Sequence, residues 1–264
     1  MSVLIIERRG AVDWVTLNRP ERLNALDENL TTALRGYFER LYRDEECRVV
    51  VLRGAGRGFC AGADLASDLT REVQEDGIGA AMRVQRGIRD IMVAMRRCPQ
   101  PIVTLLHGAA VGGGFVLALA SDIRIAATGT RMNAAFIKIG LGGCDVGVSY
   151  LLPRLIGGSA SHELLLTGRD LYADRALRLG LVSEVVAEEA LAASAAPYVE
   201  AMLATAPLAL AMTKEVLDIN LDAPSFAAAL ALEDRNQALL SQGDDFREGV
   251  AAFRAKRTPE FRGR

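Results

Sequence analysis

The chain has 264 residues, half of them hydrophobic, enough to bury a sizeable core in a single α/β unit with a helical appendage. Thirty-one basic and thirty-three acidic residues leave a net charge of −2, so no global field draws it to nucleic acid or to an anionic membrane. Any anionic ligand has to be held by local groups. Four dispersed cysteines, Cys47, Cys60, Cys98 and Cys144, form no C-x-x-C pair and have two histidines to join them, which argues for reduced thiols and against a metal site.

In chain order, residues 3–8 and 11–18 are short β-rich runs separated by Arg9-Gly10, the pattern of a hairpin. The first residues, MSVLIIE, turn acidic too early for a secretory signal. No apolar run reaches the roughly 18 to 20 residues of a membrane span, so the expectation is a soluble, cytoplasmic protein without membrane contacts. Asp27 is placed to cap a helix in which Leu30, Leu34, Tyr37, Phe38 and Leu41 recur at three- and four-residue spacing, and Arg48–Leu52 supplies a buried strand. The alternation continues with a helix around 79–96, a strand at 101–106, a glycine-led apolar helix at 112–120 and a strand at 122–127, which implies an α/β architecture. From about Ala187 alanine- and leucine-rich helices run to Phe253, broken at Ala206-Pro207, Ala223-Pro224 and Gln242-Gly243. The expected division is a core over 1–200 and a helical region over 201–264.

Two segments place glycines at strand ends, Arg57-Gly58-Phe59-Cys60-Ala61-Gly62-Ala63-Asp64-Leu65 and His107-Gly108-Ala109-Ala110-Val111-Gly112-Gly113-Gly114-Phe115. Glycine lets a backbone approach a ligand closely, and the second run opens a helix whose free N–H groups suit an anion or a developing oxyanion. Neither run is a phosphate loop with Gly-Lys-Ser/Thr or a G-x-G-x-x-G, and a lone glycine run before a helix is more often a turn or packing feature. Two at consecutive strand ends are harder to dismiss.

These two motifs, with Leu17-Asn18-Arg19-Pro20-Glu21-Arg22-Leu23-Asn24-Ala25-Leu26 and the tail from Arg247 to Arg257, resemble the signatures of the crotonase superfamily, the enoyl-CoA hydratase/isomerase family, in its order and spacing. The resemblance implies a spiral of ββα units with a C-terminal helical trimerisation region, assembled as a homotrimer or a dimer of trimers. It implies an acyl-CoA thioester as substrate, with coenzyme A part of that substrate and no prosthetic group. By position, the N–H groups of Ala63 and Gly113 would form an oxyanion hole for the thioester enolate. Loss of one donor in comparable sites costs about 2.7–4 kcal/mol. The family pattern further places Arg22 at the coenzyme A phosphates, Ala61, Asp64 and Leu65 around the adenine, and Phe253 and Lys256 at the cofactor from the C-terminal region, often across a subunit boundary. For Arg22 and Lys256 the plainer alternative is solvated surface charge.

The sequence departs from a hydratase where the family carries two glutamates. The first position, three residues after Gly113, is Val116, and the second, four before Gly140, is Phe136. Neither side chain moves a proton. Asp145 resembles the aspartate of the dienoyl-CoA isomerase branch, one residue further from the glycine. Its alternative role is to cap a helix over 146–156. Cys144 has no neighbouring histidine in sequence to activate it, His107 ends an apolar strand like a structural histidine, and Asp68, Glu72, Glu75 and Asp76 form a charge run that usually marks a solvated face. Three functions stay open: an enoyl-CoA hydratase or isomerase using Asp145, a non-catalytic acyl-CoA-binding protein, and a thioester hydrolase or decarboxylase supported by the oxyanion hole alone.

Overall fold

A computed structural model describes residues 2–263, the side chains of Leu69, Thr70, Glu72 and Gln74 apart. β1 (Leu4–Arg9) and β2 (Val12–Leu17) form the expected hairpin, turning at Gly10 with φ 61°. α1 (Glu28–Leu41) starts where Asp27 accepts a hydrogen bond from the Leu30 amide at 2.8 Å, and it buries Leu30, Leu34, Tyr37, Phe38 and Leu41. β3 (Val49–Gly54) then lies parallel to β2.

After α2 (Asp68–Glu75) and α3 (Gly77–Arg97) comes β4 (Ile102–Leu106), parallel to β3. β5 (Ala109–Val111) leads into α4 (Gly113–Ala120), followed by β6 (Ile123–Ala127) and β7 (Arg131–Asn133). Next are α5 (Val148–Ile156), α6 (Gly158–Thr167), β8 (Leu171–Tyr172), α7 (Ala173–Arg178) and β9 (Glu184–Val186). The strands make two sheets, one of six in the order β1-β2-β3-β4-β6-β9 and one of three in the order β5-β7-β8. Every connection in the large sheet after the hairpin is parallel, so helices cover both faces and its central strands carry unbroken apolar runs.

Alternation along β3 sorts that run between two cores. Val50 and Leu52 face the larger one with α1, α3 and α4, whereas Val49 and Val51 face a smaller one against Leu191, Ala195 and Val199. Those three residues belong to α8 (Leu191–Ser194), α9 (Ala196–Leu203) and the residue between them.

Beyond Ala206 lie α10 (Pro207–Asn220), α11 (Phe226–Leu240) and α12 (Asp244–Ala255), with the breaks at the proline and glycine positions expected. Polar bonds tie α9 and α10 to the core. Arg48 donates to the Leu203 carbonyl at 2.9 Å, and the buried Lys214 reaches Asp122 and the Gln100 carbonyl, each at 2.9 Å. An open apolar groove of about 820 Å³ runs between the last helices, lined by Leu208, Leu239, Phe246, Phe253 and Phe261 among others. Among the described residues no single helix is long and apolar enough to cross a membrane.

Candidate functional site

The two glycine motifs lie side by side because each supplies the other's backbone partners. The Phe59 amide donates to the His107 carbonyl, Cys60 to Ala109, and Val111 to Cys60, each at 2.9 Å. So close an approach excludes side chains. A methyl on Gly114 would stand 2.2 Å from the Cys60 carbonyl oxygen, and one on Gly62, whose φ is 90°, would stand 2.7 Å from that of Val111.

This packing brings two amides together. The same imagined methyl on Gly62 lies 3.2 Å from the Gly113 nitrogen, so the Ala63 amide, next along the chain from Gly62, neighbours the Gly113 amide. Gly113 opens α4, at the positive end of the helix dipole. Among the described residues neither amide donates to an acceptor of this chain, whereas the flanking amides do: Gly112 donates to the Asn133 carbonyl at 2.8 Å and Asp64 to that of Leu26 at 3.0 Å. Two adjacent unspent donors can hold one oxygen that gains negative charge.

The segment around residues 22–26 runs along the first motif. Ala61 donates to the Leu23 carbonyl at 3.0 Å, and Leu26 to that of Gly62 at 2.7 Å. Arg22, Ala61, Asp64 and Leu65 are thereby gathered beside Ala63 and Gly113. Arg22 is exposed and Leu65 is 59% exposed. The Asp64 carboxylate is engaged within the protein, accepting from Arg19 at 2.9 Å and from the Ala66 amide at 3.2 Å. Burial alone would raise its pKa, but those bonds and the charges of Arg19 and Arg22 hold it below the ordinary aspartate value. Its backbone is engaged as well, the amide donating to the Leu26 carbonyl at 3.0 Å and the carbonyl accepting from the Ser67 amide at 3.0 Å and the Ser67 hydroxyl at 2.7 Å.

Two residues that build this corner had no assigned role in the sequence. The buried Asn24 amide group donates to the Ala55, Gly58 and Phe59 carbonyls at 2.8, 2.9 and 3.1 Å, and Arg19 joins Asp64 to Asp27. Their signal lay in the Asn18–Leu26 motif, but their contacts span up to forty-five positions and have no local pattern.

Val116 and Phe136, where the resemblance leads one to expect two glutamates, have apolar surroundings as well. Val116 is fully buried in α4, and the Phe136 ring comes within 3.6 Å of where a methyl on Gly112 would be. Asp145 is half-buried, and it is not the cap of a helix over 146–156. α5 starts at Val148 with Gly147 at its N-cap and no side-chain bond, because Val146 and Gly147 adopt φ of 39° and 101°, outside the helical region. Its Oδ1 accepts instead from the Val146 amide at 2.8 Å and from Gln85 of α3. α3 packs on α4, the helix that begins at Gly113.

Phe253 and Lys256 stand elsewhere, at the end of α12, with Phe253 86% exposed in the C-terminal groove. The alternative nucleophile Cys144 is exposed, and both histidines are bonded to carbonyls, His107 to Gly56 at 2.9 Å and His162 to Gly158 at 2.7 Å. Burial pushes the Cys60 thiol up to about 12, so it is no thiolate near neutral pH. Of the acidic run after the first motif, the Glu72 side chain lies outside the described residues, and Asp68, Glu75 and Asp76 are exposed.

Comparison with known proteins gives one consistent result. The family model described as enoyl-CoA hydratase/isomerase matches residues 7–264. The chain is 35% identical over 264 residues to the 1,2-epoxyphenylacetyl-CoA isomerase of Escherichia coli (strain K12), covering 100% of both. It is 36% identical over 263 residues to the (E)-benzylidenesuccinyl-CoA hydratase of Thauera aromatica, covering 98% of each. A solved structure of the enoyl-CoA hydratase from Bacillus anthracis matches with a TM-score of 0.92 at 30% identity, covering 99% of this chain and 100% of that one.

Proposed function

This chain belongs to the enoyl-CoA hydratase/isomerase family, and from that premise we propose that it isomerises an enoyl-CoA thioester by moving one proton with one carboxylate, Asp145. The substrate is an acyl-CoA, and coenzyme A enters as part of it, with no prosthetic group.

The thioester oxygen sits between the Ala63 and Gly113 amides. The observation that carries this reading is that these two donors are adjacent and unspent. Asp145 takes the α-proton of a 3-enoyl thioester, and the electron pair delocalises onto the carbonyl oxygen. When the carbonyl re-forms, the new double bond lies between Cα and Cβ, the old one between Cβ and Cγ is lost, and the same carboxyl returns its proton to Cγ. Nothing is consumed. Hydration would need a second group to activate water, and Val116 and Phe136 have none to offer.

Around the cofactor portion, Arg22 meets the phosphates, the backbone of Ala61 and Asp64 with the Leu65 side chain borders the adenine, and Phe253 and Lys256 reach a neighbouring subunit's site in a homotrimer or a dimer of trimers. Their place at the end of α12, with Phe253 exposed in the C-terminal groove, supports delivery across a subunit boundary.

The test is a panel of 3-enoyl-, dienoyl- and 2-enoyl-CoA thioesters with products identified by mass spectrometry. Expected is double-bond migration without gain of water, lost at least a hundredfold in Asp145→Asn, with thioester binding by calorimetry unchanged within about threefold. Normal turnover by that variant, or a product heavier by one water, overturns the proposal.

A further inference from the structure

A carboxylate that both takes and returns a proton has to present one oxygen along a fixed line, yet an aspartate side chain turns freely about its last bond unless something holds it. At Asp145 the holding groups are visible, and they converge on one oxygen. Oδ1 accepts from the Val146 amide at 2.8 Å and from Gln85 Nε2, sixty positions away on α3. Among the described residues nothing donates to Oδ2.

The two donors come from structures anchored independently. Val146 adopts φ 39°, a left-handed conformation rarely taken by a β-branched residue, and it is held there by burial of its side chain in the main core and by the Val148 amide, which bonds the Asp145 carbonyl at 2.9 Å. Gln85 is exposed itself but stands on a 21-residue helix, between Val84, which packs on the core, and one turn from the buried Ile88. A cation at position 85 would neutralise the carboxylate, whereas an amide fixes its rotation and leaves its charge.

We infer that Gln85 is a positioning residue, which with the Val146 amide locks Asp145 through Oδ1 and leaves Oδ2 to carry the proton. The inference rests on Asp145 being the proton carrier. Substrate contact is not required of Gln85, so its removal should slow turnover and leave binding alone.

The experiment compares Gln85→Met, Gln85→His and Asp145→Asn with the parent, using isomerisation of trans-3-hexenoyl-CoA to the 2-enoyl thioester. Gln85→Met keeps the length of the side chain and removes its donor. Expected is a fall in kcat of roughly 10- to 100-fold, as for a reacting group displaced by about 1 Å, with KM within about twofold and an unchanged melting temperature. Gln85→His, assayed at about pH 8 where an ordinary imidazole is uncharged, restores a neutral donor of similar reach and should recover kcat to within about fivefold of the parent. A Met variant with parental kcat, a loss confined to KM, or a His variant as slow as the Met variant overturns the role of Gln85. Full turnover by Asp145→Asn overturns the reading beneath it instead.

Discussion

Asp64 is the residue whose chemistry and folding are most closely joined. It belongs to the first glycine motif, yet its carboxylate is spent on Arg19 and the Ala66 amide, which keeps residues 61–66 against the 19–27 segment. Because its pKa is lower in the folded chain than in the unfolded one, this contact contributes stability above the unfolded value of about 3.9 and loses it as pH falls through the lower folded value. Asp64→Asn should therefore shift the urea midpoint downward by a constant amount from pH 7 to about pH 5, and the gap to the parent should close below about pH 4. A gap that persists undiminished at the lowest pH would assign the loss to packing. The acid itself was legible in the motif; that it faces inward to Arg19 was not, because the pair is joined only by the fold.

At the level of whole elements, α4 and α10 do different work. α4 is apolar all round, as its sequence says, and its buried faces fix the amide of Gly113. α10 meets the core through a buried cation: Lys214 neutralises Asp122 and caps the Gln100 and Met95 carbonyls at 2.9 and 3.3 Å. Removing the cation leaves the two carbonyls without its donor and, among the described residues, Asp122 with only Arg96 at 3.7 Å and the Ile102 amide at 2.8 Å. Lys214→Ala should cost about 3 kcal/mol and raise amide hydrogen exchange in α10 before it does so in β3 or β4. Uniform exchange across both would show that α10 does not open separately. In sequence Lys214 is one lysine on a helix with no clear stripe, so its burial had no local sign. The same limit hid the small sheet: strands of two and three residues, β5, β7 and β8, are too short to display a period.

Seen whole, the chain is finished on one side and open on the other. The sheet carries helices on both faces, while α10, α11 and α12 leave Leu239, Phe246 and Phe253 exposed at 61%, 53% and 86% around their groove. An apolar face of this kind fits the proposed association of copies, which would also carry Phe253 and Lys256 to a neighbour's site. Phe246→Asp is expected to remove about 2 kcal/mol or more of association per interface, to shift light-scattering mass toward that of one chain, and to weaken acyl-CoA binding in parallel. Dissociation with full binding would separate the groove from the thioester site.

Periodicity and spacing alone yielded the hairpin, the capped helix at Asp27, the alternation of strands and helices and the breaks between the last helices, because each depends on neighbours within a few residues. The glycine motifs told where a backbone must come close to something. What the local chain does not encode is contact between distant segments. The nearness of the Ala63 and Gly113 amides, the inward commitment of Asp64 and the bond from Gln85 to Asp145 arise where residues far apart in sequence meet and short-range preferences have no say.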